Sequence, residues 1–467
     1  MHKLAAIVLA AGQGTRMKSS LPKVLHPLAG RPLIYYSVRA ALDAGASDVV
    51  VVVGKGASEV ENYLASAFGK SVRTASQAEQ RGTGHAALMA MPALGSVEST
   101  LILYGDTPLL EVADLKALAT ALEGHSDASL ALMTCVLEDP TGYGRVLRDE
   151  KGRVVAIREH RDLRNEKERA ISEVNPGVYA ARVPFLRDAL AKLTPNNAQN
   201  ELYLTDVVEA AGKKGGAIAL PTRPESLAGV NDRAQLAAAE AAMHRRIAEK
   251  LGRSGVTLHG ELLVDDTVEV EPDVTLHSGV TLRGSTVVKS GVTVDVGSVL
   301  TDAVIESGAV ILPYSVITSS HVGPRARIGP FAHLRPESDI GEEAHVGNFV
   351  EKKKTVMHAR SKANHLAYLG DGEIGEASNV GAGTIFCNYD GFNKHKTTLG
   401  RGVFIGSDSQ LVAPVTIGDG AYVATGATVT QDVPADALAI GRARQENKLG
   451  YAAKLRVKLG KKANPTK

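Results

Sequence analysis

Only two cysteines occur in this chain of 467 residues, Cys135 and Cys387, far apart in the sequence. Two isolated thiols supply neither a disulfide framework nor a Cys-based zinc site, and they fit a reducing compartment such as the cytoplasm. Long apolar runs are missing as well: no stretch reaches the roughly 20 residues that a membrane-spanning helix needs. Nor is there an excess of charge. The 53 Lys and Arg against 51 Asp and Glu leave +2, which gives no general case for a nucleic-acid partner. The one basic concentration is terminal. Residues 442–467 hold nine Lys or Arg against one Glu, and that +8 leaves −6 for the remainder.

Two standard nucleotide fingerprints are also lacking. The run L-A-A-G-Q-G-T-R-M, residues 9–17, has Met17 where a dinucleotide fold wants a third Gly, and no G-x-x-x-x-G-K-[ST] follows a strand. Neither a redox Rossmann site nor a P-loop is supported.

What is present is a period. Stepping by six from Val256 to Val346 gives sixteen positions, of which fourteen are Val, Ile or Leu, with only Thr286 and Ser298 departing. The period resumes at Ile405, Leu411, Ile417, Val423 and Val429. A six-residue unit with one inward aliphatic and tight turns predicts a prism of three short strands per coil, stacked through backbone hydrogen bonds. The interruption, residues 348–398, carries Glu351, Lys352, Lys353, Lys354, His365, Tyr368, Asn379, Asn388 and Tyr389, and insertions in solenoids tend to gather on a binding face. By composition alone the three lysines read as a solvated run. His365, flanked by Leu366 and Ala367, is a candidate general base.

Up to about residue 230, apolar runs such as residues 49–53 and 101–104 alternate with Ala/Leu-rich stretches, the pattern of β-α-β units. The run at residues 4–11, behind His2 and Lys3, has the outward form of a signal peptide. It is short, however, and leads straight into the glycine loop, which predicts a strand. Residues 232–251 have no internal Gly or Pro and predict a connecting helix. The chain thus divides into residues 1–231, the helix 232–251, the repeats 252–437 and a basic tail 438–467.

In the first part, Gly12 and Gly14 let backbone N–H groups approach a phosphate, with Arg16 and Lys23 supplying charge. Q-A-E-Q-R-G-T-G-H-A, residues 77–86, adds a second glycine turn, with Gln77 able to pair with a base edge. L-Y-G-D, residues 103–106, sets the Asp106 carboxylate just beyond an apolar strand, where open α/β sheets place ligand chemistry and where Mg²⁺ is suited.

Together these segments closely resemble the sugar-1-phosphate nucleotidyltransferases. With the repeats, the resemblance narrows to the family of bifunctional N-acetylglucosamine-1-phosphate uridyltransferases and glucosamine-1-phosphate acetyltransferases, over nearly the whole chain. It implies an α/β Rossmann-like nucleotidyltransferase domain followed by a left-handed parallel β-helix. Ala11, Gly12, Gln77, Gly82, Thr83 and Tyr104 would hold the uridine nucleotide, with Lys23 facing its phosphates. Gly144, Glu159, Asn175 and Asn231 would contact the sugar, and Asp106 with Asn231 would hold Mg²⁺. Pro176, following Asn175 where relatives often have Thr, restricts that contact.

In the repeats the resemblance makes His365 the base that deprotonates the 2-amino group of glucosamine 1-phosphate as it attacks the thioester of acetyl-CoA. No acyl-enzyme is needed, so Cys387 need not be a nucleophile. Arg335, Lys353, Tyr368, Asn379 and Lys394 match the sugar-phosphate contacts. Ala382, Asn388, Tyr389, Ser407, Thr425 and Arg442 match the acetyl-CoA positions, Thr425 standing where Ala is expected. The product with UTP would be UDP-N-acetylglucosamine, a precursor for peptidoglycan and lipopolysaccharide.

A one-reaction sugar nucleotide pyrophosphorylase with a regulatory β-helix is the alternative enzyme, and the polar interruption with His365 separates the two. A non-catalytic scaffold resembling translation-initiation exchange-factor subunits is a third class, against which Lys23, Asp106 and His365 speak. A homotrimer is expected, because a triangular β-helix has a thin core and outward faces in need of partners. The spread of candidates from Arg335 to Arg442, about six coils at roughly eighteen residues each, further predicts a site shared between subunits.

Overall fold

The computed structural model describes residues 3–54, 57–213 and 215–460 and divides into two compact units, residues 1–250 with 264–267, and residues 251–263 with 268–467. His2 and the last seven residues of the basic tail lie outside the described residues.

In the first unit the continuous apolar runs LAAIVLA, DVVVVVG and STLILY become the strands β1 (Leu4–Ala10), β2 (Asp48–Gly54) and, after β3 (Val72–Gln77), β4 (Ser99–Tyr104). Such runs suit strands buried on both faces, since alternate side chains point to opposite sides. Accordingly Ala6, Val8, Val49, Val51, Leu101 and Leu103 join one core with helices α1 (Leu33–Asp43), α2 (Ser58–Phe68) and α4 (Val112–Gly124). Ala5, Ile7, Val50, Val52 and Ile102 join a second with α3 (Thr83–Ala90), α5 (Val183–Leu190) and α6 (Asp206–Gly212). Each fully buried Val, Ile or Leu contributes roughly 1.5–3 kcal/mol relative to exposure.

The sheet continues through β5 (Leu130–Val136), β6 (Gly144–Arg148), β7 (Val154–Arg158), β8 (Glu173–Asn175), β9 (Tyr179–Arg182) and β10 (Ala217–Pro221). Its order is β3-β2-β1-β4-β9-β5-β8-β6-β7, with β10 beside β5. The first four strands are parallel, and β9 enters antiparallel between β4 and β5. The predicted helix runs as α7 (Arg233–Arg253). Its Leu236, Ala239 and Met243 close a third small core over Met17, Leu28, Leu33 and Val230.

The second unit is a left-handed parallel β-helix. One ladder of eleven short strands runs from Thr257–Leu258 to Leu438–Ala439, and a seventeen-stranded sheet wraps the other two sides. It can do so because Glu351–Met357 and Tyr368–Ile374 bend round a corner, at Lys354 (φ 49) and Asp371 (φ 51).

Two expectations need correction here. Each side of a coil buries two columns, not one. Leu276, Leu282, Val288, Val294 and Leu300 form the larger, and Val274, Val280, Val292 and Ser298, two residues earlier in each unit, belong to the smaller; all are 0% exposed. The sixfold series slips between them, because the steps from Leu300 to Ile305 and from Ile317 to Val322 contain five residues rather than six. It begins in the smaller column, passes through Val304, Val310 and the exposed Val316, and ends in the larger at Val322. Thr286 and Ser298 are therefore not lapses. Both are buried, and their hydroxyls donate to the carbonyls of Arg283 (2.6 Å) and Leu312 (3.1 Å).

Nor does the stack break at residues 348–398. His345 pairs with Lys362 and Lys362 with Asn379, a coil of seventeen residues, so coiling continues with one residue dropped. Asn379 then pairs with Phe404, a coil of twenty-five residues. The surplus is the loop between Ile385–Cys387 and Thr397–Leu399, pinned by a bridge between Tyr389 and Lys394.

Lys352 departs from the solvated-run reading. Strand alternation turns it inward, where it is 0% exposed and stacked between Leu334 and Leu369 of the neighbouring coils.

Candidate active sites

In the first unit, strand order reverses direction at β1, whose neighbours are β2 and β4, and Leu9 pairs with Tyr104. The glycine loop after β1 and Asp106 after β4 therefore emerge side by side, at the carboxyl ends of the strands where the topology switches. Gly14 sits at φ +62, and a Cβ there would lie 2.5 Å from Lys23 Cβ, so the loop closes on Lys23 only with glycine. A Cβ on Gly12 would meet nothing within 4 Å; this residue faces open space in the cleft.

The Lys23 ammonium pairs with Asp106 Oδ2 and lies 3.3 Å from Asn231 Oδ1, and Arg16 donates to the same amide oxygen at 2.8 Å. The backbone of Val230 donates to the Asp106 carbonyl at 2.8 Å, which brings Asn231 into place. A carboxylate and an amide oxygen thus converge on one cation, with the Lys23 and Asp106 side chains 13% and 15% exposed. One carboxylate plus one neutral oxygen suits Mg²⁺, which takes its remaining ligands from phosphate and water.

A cleft of about 320 Å³ is lined by Ala11, Gly12, Lys23, Gln77, Gly82, Thr83, Tyr104, Asp106 and Asn231. Gln80 and Glu201 line it too, which the motifs did not single out. Gly82 has φ +100, and a Cβ there would lie 2.6 Å from the Leu202 carbonyl. Thr83 Oγ1 accepts from the Leu204 backbone at 3.1 Å.

A neighbouring cavity of about 560 Å³ shares Thr83, Tyr104, Asp106 and Asn231 and adds Glu159, Pro176, Gln199 and Tyr203. Burial raises the Glu159 pKa, opposed by the Thr205 hydroxyl at 3.1 Å and reinforced by Asp162 and Asp206. Burial, with Glu159 and Asp106 nearby, likewise keeps Tyr104 a phenol. Gly144 and Asn175 line neither space. A Cβ on Gly144 would lie 3.5 Å from the Glu159 carboxyl, so it backs that group. The Asn175 amide donates to Tyr179 Oη at 2.7 Å and accepts from Gly177 at 3.2 Å, leaving the half-buried Pro176 to line the cavity there.

In the second unit, Asn348 and His365 pair in register, and His365 Nδ1 lies 2.9 Å from Asn348 Oδ1. An amide oxygen can only accept, so the ring proton is on Nδ1 and Nε2 keeps its lone pair. Ala382, Ser407 and Thr425 each stand three residues beyond the paired residues Asn379, Phe404 and Tyr422, as His365 does beyond Lys362. They occupy one corner of successive coils. Thr425 is exposed, so its extra methyl and hydroxyl crowd nothing within the chain. Arg442 follows, its Cδ 3.8 Å from where a Gly426 Cβ would lie.

Arg335 pairs with Glu351 at 2.7 Å, and Glu351 pairs in register with Tyr368. Lys394, then desolvation and Arg335, hold the half-buried Lys353 ammonium below its ordinary pKa, with Lys394 and Arg335 the marks of convergent positive charge. Tyr368 Oη and Asn388 Nδ2 bracket Gly370, and Asn388 donates to Asp371 at 2.5 Å. Asn379 pairs with Lys362, one coil from His365's strand, and Tyr389 is 61% exposed. Burial raises the pKa of both free thiols, Cys135 to about 11, so neither is a ready thiolate.

Residues 6–174 match the MobA-like NTP transferase domain, and residues 396–431 match six bacterial transferase hexapeptide repeats. The bifunctional protein GlmU of Sorangium cellulosum is 61% identical over 98% of this chain and 97% of its own length. The proteins of the same name from Pelobacter propionicus and Pseudomonas syringae are 46% and 45% identical, over 98% and 97% of this chain and 100% and 99% of theirs. No helix among the described residues is long and apolar enough to cross a membrane. With both domain types present and the likeness running end to end, the chain belongs to the GlmU family of bifunctional N-acetylglucosamine-1-phosphate uridyltransferases and glucosamine-1-phosphate acetyltransferases.

Proposed function

We propose that residues 1–231 carry uridylyl transfer, that residues 252–437 carry acetyl transfer, and that the residues grouped above perform the two steps. The family's chemistry runs from glucosamine 1-phosphate and acetyl-CoA to N-acetylglucosamine 1-phosphate, and then with UTP to UDP-N-acetylglucosamine and pyrophosphate.

The observation that carries the first assignment is the Lys23, Asp106 and Asn231 cluster at the junction of β1 and β4. An oxygen of the sugar phosphate attacks the α-phosphorus of UTP, the α–β bridging bond breaks, and pyrophosphate leaves with its electron pair. Lys23 and Arg16 neutralise phosphate charge, and Gln77 meets the base. Thr83, Tyr104 and Glu159 border the sugar cavity. Mg²⁺, held by Asp106 and Asn231, supplies further charge neutralisation when bound. The protein's own work is positioning and electrostatics.

In the β-helix, His365 Nε2 takes a proton from the 2-amino group as its nitrogen attacks the thioester carbonyl, and coenzyme A leaves as the thiol after protonation. Arg335, Lys353 and Lys394 suit a dianionic phosphate. Stacked coils advance about 4.8 Å, so the corner from His365 to Arg442 spans roughly 19 Å, matching an extended CoA laid along it. The reach from His365 to Arg442 therefore fits one long ligand and is no argument for sharing between subunits.

Exposure is the better argument for a trimer. Tyr314, Phe331 and Phe349 stack at 5.4 Å spacings, each about half exposed, beside Asn348 and His365. A neighbouring chain packed on this ladder would complete the open corner. The two free thiols fit operation in the cytoplasm.

Asp106→Ala in the full-length chain should abolish pyrophosphate release while thiol release from acetyl-CoA stays near normal; equal loss of both would overturn the separate-site reading. Light scattering of an active monomer would defeat the trimer.

A further inference from the structure

At the end of β3 the Gln77 side chain is 3% exposed, and its amide nitrogen has two partners. Nε2 lies 3.1 Å from the Gly82 carbonyl oxygen and 3.1 Å from Nδ1 of His85, the third residue of α3. A backbone carbonyl can only accept, so the nitrogen of the amide, not its oxygen, must face Gly82. The same nitrogen can only donate, so His85 Nδ1 is an acceptor and the neutral ring carries its proton on Nε2. Both amide hydrogens are thereby engaged within the protein. Among the described residues no donor is recorded at Oε1, and Gln77, unlike His85, lines the cleft.

We propose that His85 is a positioning residue for base selection: by accepting the second amide hydrogen of Gln77, it holds Oε1 toward the cleft as an acceptor-only contact. The proposal rests on the reading of this cleft as the UTP site. Uracil presents an N3–H donor to such an acceptor. Cytosine presents a bare N3 lone pair at the same edge, which opposes the Oε1 lone pairs, so the wrong base is repelled as well as unpaired. Without His85 the amide keeps a single anchor. The terminal torsion of glutamine is broad, and offering Nε2 to a cytosine edge then breaks one hydrogen bond instead of two.

The test uses the full-length chain with His85→Leu and His85→Asn, measuring pyrophosphate release from UTP and from CTP, with thiol release from acetyl-CoA as the control of folding. The wild type should prefer UTP. In His85→Leu the ratio of kcat/KM for UTP over CTP should fall by about tenfold, the worth of one orienting hydrogen bond, while thiol release is unchanged. In His85→Asn, whose Oδ1 stands in for Nδ1, the ratio should return toward the wild-type value. A His85→Leu chain that loses activity with both nucleotides equally, or a His85→Asn chain no better than His85→Leu, overturns the positioning role. So does a wild type indifferent to the two bases. A wild type that releases no pyrophosphate from UTP overturns instead the reading of the cleft on which the proposal rests.

Discussion

In the first unit, Lys23 and Asn231 are 208 residues apart in sequence, yet they meet with Asp106 in one largely buried cluster. In the β-helix, Asn348, His365, Ala382, Ser407 and Thr425 instead recur at one corner of successive coils, and His365 is exposed. An α/β sheet gathers distant loops at its switch point and encloses them, so charges there are little screened and hold one another in place. A solenoid repeats a position at the spacing of its coils and encloses nothing. The first cluster is thus assembled and enclosed within one chain, whereas the second row stands open along an exposed corner.

The largest expected effect separates the two by chemistry. His365→Ala should lower thiol release from acetyl-CoA by about 10² to 10⁴, the usual worth of a general base, and leave pyrophosphate release from UTP and N-acetylglucosamine 1-phosphate unchanged. An unaltered acetylation rate would remove His365 from the reaction.

How far each region could be read from sequence follows from the same contrast. The coil period was legible because every coil buries aliphatics, but its phase was not. Two five-residue steps moved the series from the column of Ser298 to that of Val322, and Val occupies both columns. Asp106 was legible because it follows an apolar run at a strand end. The surroundings of Asn175 were not, since the capture of its amide by Tyr179 Oη is a tertiary event that the N-P-G motif does not encode. Asn348 stands seventeen residues before His365, one coil length, and becomes visible as its partner only once that length is known. The lysine triplet hid its own alternation: Glu351 and Lys353 point out, and the residue between them points in.

That inward lysine gives the second prediction. Lys352 has one recorded partner, the Met357 sulfur at 3.0 Å, a weak acceptor. Burial lowers its pKa from 10.5 to about 7, with Asp339 opposing. Between those two values the unfolded chain binds the proton and the folded chain does not, so stability rises with pH across that window and the full cost is present below about 7. Lys352→Met should therefore stabilise the β-helix by up to roughly 5 kcal/mol near pH 6 and flatten the rise toward pH 10. Urea unfolding of the full chain at several pH values, with Asp106-dependent pyrophosphate release as a reporter of the other unit, measures both. A variant less stable than the parent at pH 6 would mean that the amine makes compensating contacts.

The smallest effect concerns Asn348, which touches the base and not the reacting atoms. Its Oδ1 accepts from His365 Nδ1 and thereby keeps the lone pair on Nε2. Removing it in Asn348→Ala lets the imidazole rotate and exchange tautomers, so acetyl transfer should fall about tenfold, in kcat more than in KM. Asn348→Asp keeps the acceptor and adds a negative charge, which favours the imidazolium over the neutral ring. The rate of that variant should then climb with pH over a range displaced to higher values, reaching the parental plateau once the ring is neutral. A structural role alone would lower the plateau of both variants and leave the pH profile where it was. If Asn348→Ala and Asn348→Asp share the parental profile, the orienting hydrogen bond contributes nothing to the base, and the open corner works without it.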